Sequence, residues 1–360
     1  MLKMVDLDDL AQIKKYDSKD MAGSIVFLKD QVKSAWEESK ELEITPEYKN
    51  VKNIVLAGMG GDTLGPHLIR SVFNVSLPLQ IVSDYLLPSF VDENTLVIVS
   101  SYSGTTEEVL SVLEDSLKRR AKIIGIGSGS KLIENLKSAS LPYYQFDPKY
   151  NPCGQPRVGL GYLIGGLLGF LSQLGFISFS DQDMEKTISI INDANKRFSL
   201  DCKLEQNPAK KTASNLLGKT PIVVSAEFLA GNAHIFANQI NENAKTFSAY
   251  FLLPDINHHL LEGIRFPANL GEKIKFAFLE TALYSEKIKT RLRITKEVLA
   301  KTGIDSVSYS LESDDKVQTA FEALTFSSWT SFYLAVANKI DPTPIPNVEY
   351  FKDQLAKRPG

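Results

Sequence analysis

The chain has 360 residues, more than one ordinary core fills, so two domains are expected. A hydrophobic share of 43%, a charged share of 23% and a net charge of -3 exclude a basic, polyanion-binding chain, and no nucleic acid partner is expected. Membrane partners are not expected either: the most apolar stretch, "VGLGYLIGGLLGFLSQLGF", is Gly-rich and predicts a buried helix. The opening residues mix acids with apolar side chains and lack a signal-peptide core, and Cys153 and Cys202 have no metal-ligand spacing. A cytoplasmic protein with free thiols is the expectation.

In chain order, short β-branched runs at 53–57, 79–82, 96–100, 122–126 and 143–146 alternate with segments of helical period, the pattern of parallel βαβ units. Residues 105–119 predict one such helix, with Val109, Leu110, Val112, Leu113 and Leu117 roughly on one face. After Phe179 the pattern resumes with a polar helix over 183–198. Strand candidates follow in "PIVVS" (221–225), "TFSAY" (246–250), "IKFAFL" (274–279) and "SVSYS" (306–310). A mostly apolar helix over 315–339 is broken by "DPTPIP", and a short helix over 348–356 ends the pattern. The fold class is therefore α/β: two doubly wound, flavodoxin-like domains with parallel sheets, plus a C-terminal helix. The expected divisions are 1–180 with a leading helix, 181–345, and 346–360.

Two loops could carry chemistry. In "SSYSGTTEEV", six hydroxyl residues, Ser100, Ser101, Tyr102, Ser103, Thr105 and Thr106, surround Gly104 where a strand runs into a helix. Hydroxyls and open backbone amides at a helix N-terminus suit a phosphate, although the same groups also serve simple capping. In "VLAGMGGDTLGP", Gly58, Gly60 and Gly61 permit close backbone approach at a strand's C-terminal end, where open α/β sheets bind ligands. The spacing is not that of a full dinucleotide fingerprint, so a tight packed turn is the alternative.

"GMGG" followed by "SYSGTTEE" resembles the sugar isomerase (SIS) domain, which binds phosphosugars. With "PRVGLGYLIG" from Pro156, "NQINENAK" from Asn238, "DINHHLLEG" from Asp255 and "DPTPIPNVEYFKDQL" from Asp341, the chain is similar to the bifunctional phosphoglucose/phosphomannose isomerase family. The resemblance implies an aldose-ketose isomerase of glycolysis and gluconeogenesis. It would interconvert glucose 6-phosphate, and mannose 6-phosphate, with fructose 6-phosphate through a cis-enediol, as a homodimer with shared sites and without cofactor. That chemistry needs a base to move a proton between C1 and C2, groups to open the ring, and a cation for the enediolate.

Matched residue by residue, Glu242 is the base, His258 and Lys352 open the ring, and Arg157 faces the enediolate. Ser101, Ser103, Gly104, Thr105 and Thr106, with Gly60, Gly61, Asp62 and Thr63, hold the phosphate, and Thr343 is a sugar contact. Read without the family, Glu242 could pair with Lys245 on the surface, and Arg157 could serve a surface or interdomain ion pair. His258, His259 and Glu262 could converge on a metal, though none is expected.

Two departures stand out. His259 replaces the family's Asn, with Leu260 where an acid is usual. Asp62 replaces a serine, and a carboxylate beside a phosphate repels it. Either Asp62 caps the following helix and points away, leaving Thr63 and the amides to bind, or the substrate differs. The reading from another class is a non-catalytic phosphosugar sensor, which would need none of Glu242, His258 and Lys352.

Overall fold

The structure, a computed structural model, describes residues 5–358. In the first half β1 (Asn53–Ala57), β2 (Leu79–Val82), β3 (Thr95–Ser101), β4 (Lys122–Gly127) and β5 (Tyr143–Gln145) form one sheet. Its order is β2-β1-β3-β4-β5 with every neighbour parallel. In the second half β6 (Thr220–Ala226), β7 (Ala249–Leu253), β8 (Ile274–Thr281) and β9 (Ser306–Leu311) run β7-β6-β8-β9, again parallel. Parallel neighbours require crossover helices that cover both faces, which is why β3 is buried along its whole length.

Each sheet grows both ways from its first strand, so each has a crevice outside the carboxyl ends, β1/β3 in one and β6/β8 in the other. The two crevices differ. In the second, Glu227, at φ 49°, sends its carboxylate onto Ser285, accepting from its amide at 3.3 Å and its hydroxyl at 2.5 Å. Ser285 is the N-cap of helix Glu286–Lys301, so the chain's own carboxylate sits at the N-cap of that helix.

The apolar stretch noted in the sequence is the buried helix Leu160–Gln173, packed on helix Leu28–Lys40. Gly161, Gly165 and Gly169 lie four residues apart on the contacting face, and a Cβ on Gly165 would stand 2.5 Å from the Val32 carbonyl oxygen. The long helix Lys316–Ala337 packs between helices Asp181–Phe198, Pro208–Leu216 and Ala230–Ala244.

Several boundaries depart from expectation. The strand expected over 246–250 begins at Ala249, because the Ser248 amide and carbonyl are both tied to the Asn241 side chain, at 3.0 and 2.8 Å. The helix expected over 105–119 is Glu107–Lys118, and the terminal helix begins at Pro346, whose missing N–H suits the first helical position. The leading segment, expected with residues 1–180, packs on the second core. Val5, Leu7, Ile13, Met21 and Ile25 join that cluster, and Asp8 pairs with the buried Lys210 at 3.0 Å.

Gly165→Val should lower the unfolding free energy by about 1–3 kcal/mol, because two helix backbones must separate. Gly263→Ala, where an added Cβ meets nothing within 4 Å, serves as the control. Urea denaturation checks this, and equal midpoints for the two variants would refute the close packing.

Candidate active site

β3 ends on Ser101, and its buried hydroxyl accepts from the Gly104 amide at 3.0 Å and pairs with the Thr106 hydroxyl at 2.7 Å. Gly104 has φ +71°, and a Cβ there would fall 1.9 Å from the Gly129 carbonyl oxygen, so only glycine fits. The exposed Ser103 and Thr105 hydroxyls pair at 3.1 Å. These hydroxyl pairs hold residues 101–106 as a loop, and the helix starts only at Glu107. No side chain caps it, and among the described residues the amides of Thr106, Glu107 and Glu108 have no acceptor. A helix start with open amides, ringed by hydroxyls, has the donors that an oxyanion requires.

The loop leaving β1 lies beside it. Gly60 has φ +52°, and a Cβ on Gly61 would lie 3.2 Å from the Pro156 side chain, so the first loop abuts the turn that carries Arg157. Thr63 departs from its expected place: its buried hydroxyl donates to the Gly60 carbonyl at 2.8 Å, inside its own turn. Asp62 does not cap its helix and point away, which corrects that expectation. Its Oδ1 accepts from the Tyr102 amide at 2.9 Å, in the middle of the hydroxyl loop. Burial pushes this carboxyl up to about 7, against the Tyr102 hydrogen bond and the Lys352 charge.

On the turn packed against Gly61 sits Arg157, 1% exposed. It donates to Asn243 Oδ1 at 2.5 Å, Gln155 Oε1 at 2.6 Å, the Pro342 and Thr343 carbonyls at 2.8 and 2.9 Å, and Glu242 Oε2 at 3.4 Å. Glu242 lies in the last turn of helix Ala230–Ala244, with its side chain 31% exposed. Burial raises its carboxyl above the ordinary glutamate range, while Arg157, Lys245 and Lys352 pull it down. Lys352, on the exposed helix Pro346–Ala356, thus acts on both Glu242 and Asp62. Thr343 is buried beside Arg157, and its hydroxyl has no partner among the described residues. His258 ends the turn Asp255–His258, exposed, and makes no hydrogen bond or ion pair to Glu242, Arg157 or Lys352 of the same chain among the described residues. His259 Nε2 reaches Asp255 Oδ2 at 3.3 Å.

Sequence reasoning missed Lys245 as part of this group. Its backbone is left-handed, at φ 49°, which swings Nζ under the site. Nζ donates to the carbonyls of Glu242 at 2.9 Å, Asn243 at 3.3 Å and Pro342 at 2.8 Å, and not to the Glu242 carboxylate. Desolvation first, and then the Arg157 charge, bring this ammonium down to about 8, with Asp341 and Glu242 opposing. The spacing of three from Glu242 was the available signal, but it suggested a surface ion pair.

Residues 205–355 match the family model described as bacterial phospho-glucose isomerase C-terminal SIS domain. A solved hypothetical protein from Thermus thermophilus superposes with a TM-score of 0.73 at 18% identity, over 97% of this chain and 92% of that one. A glucose-6-phosphate isomerase like protein from the same organism gives 0.61 at 15%, over 97% and 99%. The molecule is thus a double SIS-fold protein, the architecture of phosphosugar isomerases. A bifunctional phosphoglucose/phosphomannose isomerase from Caldicellulosiruptor bescii is 30% identical over 94% of this chain and 99% of its own length. One from Aquifex aeolicus is 29% identical over 88% and 94%. The chain belongs to the bifunctional phosphoglucose/phosphomannose isomerase family and is an isomerase.

Lys245 carries its charge below about pH 8 and loses it above, releasing its grip on the Glu242 and Pro342 carbonyls. Turnover should therefore decline along an alkaline limb near that pH. Lys245→Arg should move the limb to higher pH, and Lys245→Met should lower kcat about tenfold or more across the range. Profiles of kcat against pH check this; an unmoved limb in the arginine variant would assign it elsewhere.

Proposed function

We propose that the protein interconverts glucose 6-phosphate and mannose 6-phosphate with fructose 6-phosphate through a cis-enediol. The observation that carries this reading is the buried Arg157 guanidinium held 3.4 Å from the Glu242 carboxylate, on a turn that packs against the Gly61 loop. The substrate phosphate sits on the amides and hydroxyls of residues 101–106, with the backbone at Gly60 and Gly61 closing one side. This anchors C6 and leaves C1 and C2 at the far end. Lys352, with His258, moves the proton that opens the ring. Glu242 takes the proton from one carbon and returns it to the other; its raised carboxyl makes it a better base than an ordinary glutamate at neutral pH. Arg157 is fixed by its neutral acceptors and so presents a permanent charge to the enediolate without reorganising. Return of the proton to either face of the planar C2 yields either epimer, which accounts for glucose and mannose 6-phosphate in one site. The unpartnered Thr343 hydroxyl is placed to hydrogen-bond the sugar. Glycolysis and gluconeogenesis in the cytoplasm would use this reaction.

His258 is supplied by a second copy of the chain in a homodimer. Two features support this: among the described residues it bonds to none of Glu242, Arg157 and Lys352 in its own chain, and exposed aromatic side chains flank the proposed catalytic positions in sequence. Phe247 is 74% exposed, Phe266 71%, Tyr350 67% and Phe351 63%. These rings supply apolar area that a second copy of the chain would cover. A phosphosugar sensor needs none of Glu242, His258 and Lys352, and family membership favours the enzyme.

A coupled assay tests the base: Glu242→Gln should lower kcat about 10²–10⁴-fold with both aldoses, and near-normal turnover would remove Glu242 from the role. Mixing Glu242→Gln with His258→Asn chains tests sharing. Random exchange in a dimer with shared sites restores roughly a quarter of wild-type activity, since half the dimers are mixed and each holds one whole site. No recovery after verified exchange would place His258 in its own chain's site.

A further inference from the structure

We propose that Asp62 makes anion binding in the 101–106 loop proton-dependent, so that the substrate phosphate enters this site together with one proton taken up by the Asp62 carboxyl. The inference deepens the reading above and rests on that loop being the phosphate site. Asp62 Oδ1 already occupies the Tyr102 amide at 2.9 Å, so the carboxyl and the incoming anion share one short loop. The Asp62 backbone is equally committed, its carbonyl accepting from the Ser100 hydroxyl at 3.2 Å where β3 ends. The side chain is therefore held against the loop from both ends.

The groups packed around it do not neutralise it. From the loop comes Tyr102, whose phenol oxygen accepts from Asn151 at 2.8 Å and whose ionisation burial opposes. The Pro156 turn packs against neighbouring Gly61, but its Arg157 guanidinium is committed to Asn243, Gln155, Glu242 and the 342–343 carbonyls. From the C-terminal helix comes Lys352, close enough to favour the charged form but not within ion-pair distance. Among the described residues no lysine or arginine forms a salt bridge with Asp62. Burial holds the carboxyl at about 7, so at neutral pH both forms are populated.

A dianion arriving on the loop favours the neutral form further, by like-charge repulsion. The neutral carboxyl has an O–H to offer, and with Oδ1 on the Tyr102 amide, Oδ2 is the donor that can turn to the anion. The balance is simple: one proton passes from solvent to Asp62 as one dianion binds. A hydroxyl here would bind at any pH, whereas this carboxyl makes binding conditional on protonation. The effect belongs to affinity and hence to KM, because Glu242 and Arg157 act at the other end of the sugar.

Sulfate is the probe, since it stays dianionic where a phosphate ester would titrate. Calorimetry on the full chain should show wild-type sulfate affinity falling about tenfold per pH unit above about pH 7. Titrations in buffers of different ionisation enthalpy should show close to one proton taken up per sulfate there. Asp62→Asn and Asp62→Ser should bind sulfate with little pH dependence and without proton uptake, and should remove the corresponding rise in KM for fructose 6-phosphate. A flat wild-type profile, or the same slope in both variants, overturns the proposal while leaving the loop assignment intact. Failure of all three proteins to bind sulfate at any pH overturns the loop assignment itself and this inference with it.

Discussion

The site depends on the burial of one guanidinium. Arg157 belongs to the first half of the chain, yet four of its five hydrogen-bond partners, Asn243, Glu242, Pro342 and Thr343, belong to the second half or to the loop before the terminal helix. A charge so removed from water is tolerated only when its donors are met, and removing one side of such a buried arrangement typically costs about 3–5 kcal/mol. The same network therefore ties the two halves of the chain together and holds a permanent cation beside Glu242. Lys245 extends it, because its ammonium and the Arg157 guanidinium both hold the Pro342 carbonyl. That shared acceptor ties the 341–343 loop, and through it the Lys352 helix, to the end of the Glu242 helix.

The two sheets share one architecture but differ at the switch in strand order. Both sheets present a crevice at the switch in strand order, the place where an open parallel sheet binds ligands. In the first, the helix start after β3 is left open and surrounded by hydroxyls. In the second, Glu227 lays its own carboxylate on the corresponding helix start. The second domain instead contributes Glu242, from a helix that packs against Gly61–Val72 of the first domain. The candidate site thus draws its open helix start from the first half and its buried Arg157–Glu242 pair from both halves.

Much of this is legible in the chain. The alternation of apolar runs and helical period announces parallel sheets, and Gly104 between hydroxyl residues announces a loop at a helix start. Boundaries were less legible where side chains compete with the backbone. Residues 246–248 are kept out of β7 by Asn241, and residues 105 and 106 are kept out of their helix by hydroxyl pairs with Ser103 and Ser101. Lys245 and Asp62 were legible as residue types but not as roles. Thr63, given to the phosphate by position, spends its hydroxyl on its own turn.

Residue order alone was enough for the α/β class, for the two loops at strand ends and, through resemblance, for the family and reaction. Those follow from periodicity and from local backbone chemistry, which neighbours in the chain impose on each other. Packing had to settle that the leading segment joins the second core, that Asp62 faces the hydroxyl loop, and that Lys245 grips carbonyls instead of a carboxylate. Direction and ionisation of a side chain follow from what is brought beside it across long sequence separations, such as the 40 residues between Asp62 and Tyr102 or the 185 between Arg157 and Pro342. Burial supplied by distant segments, and not residue type, sets whether such a group holds its charge.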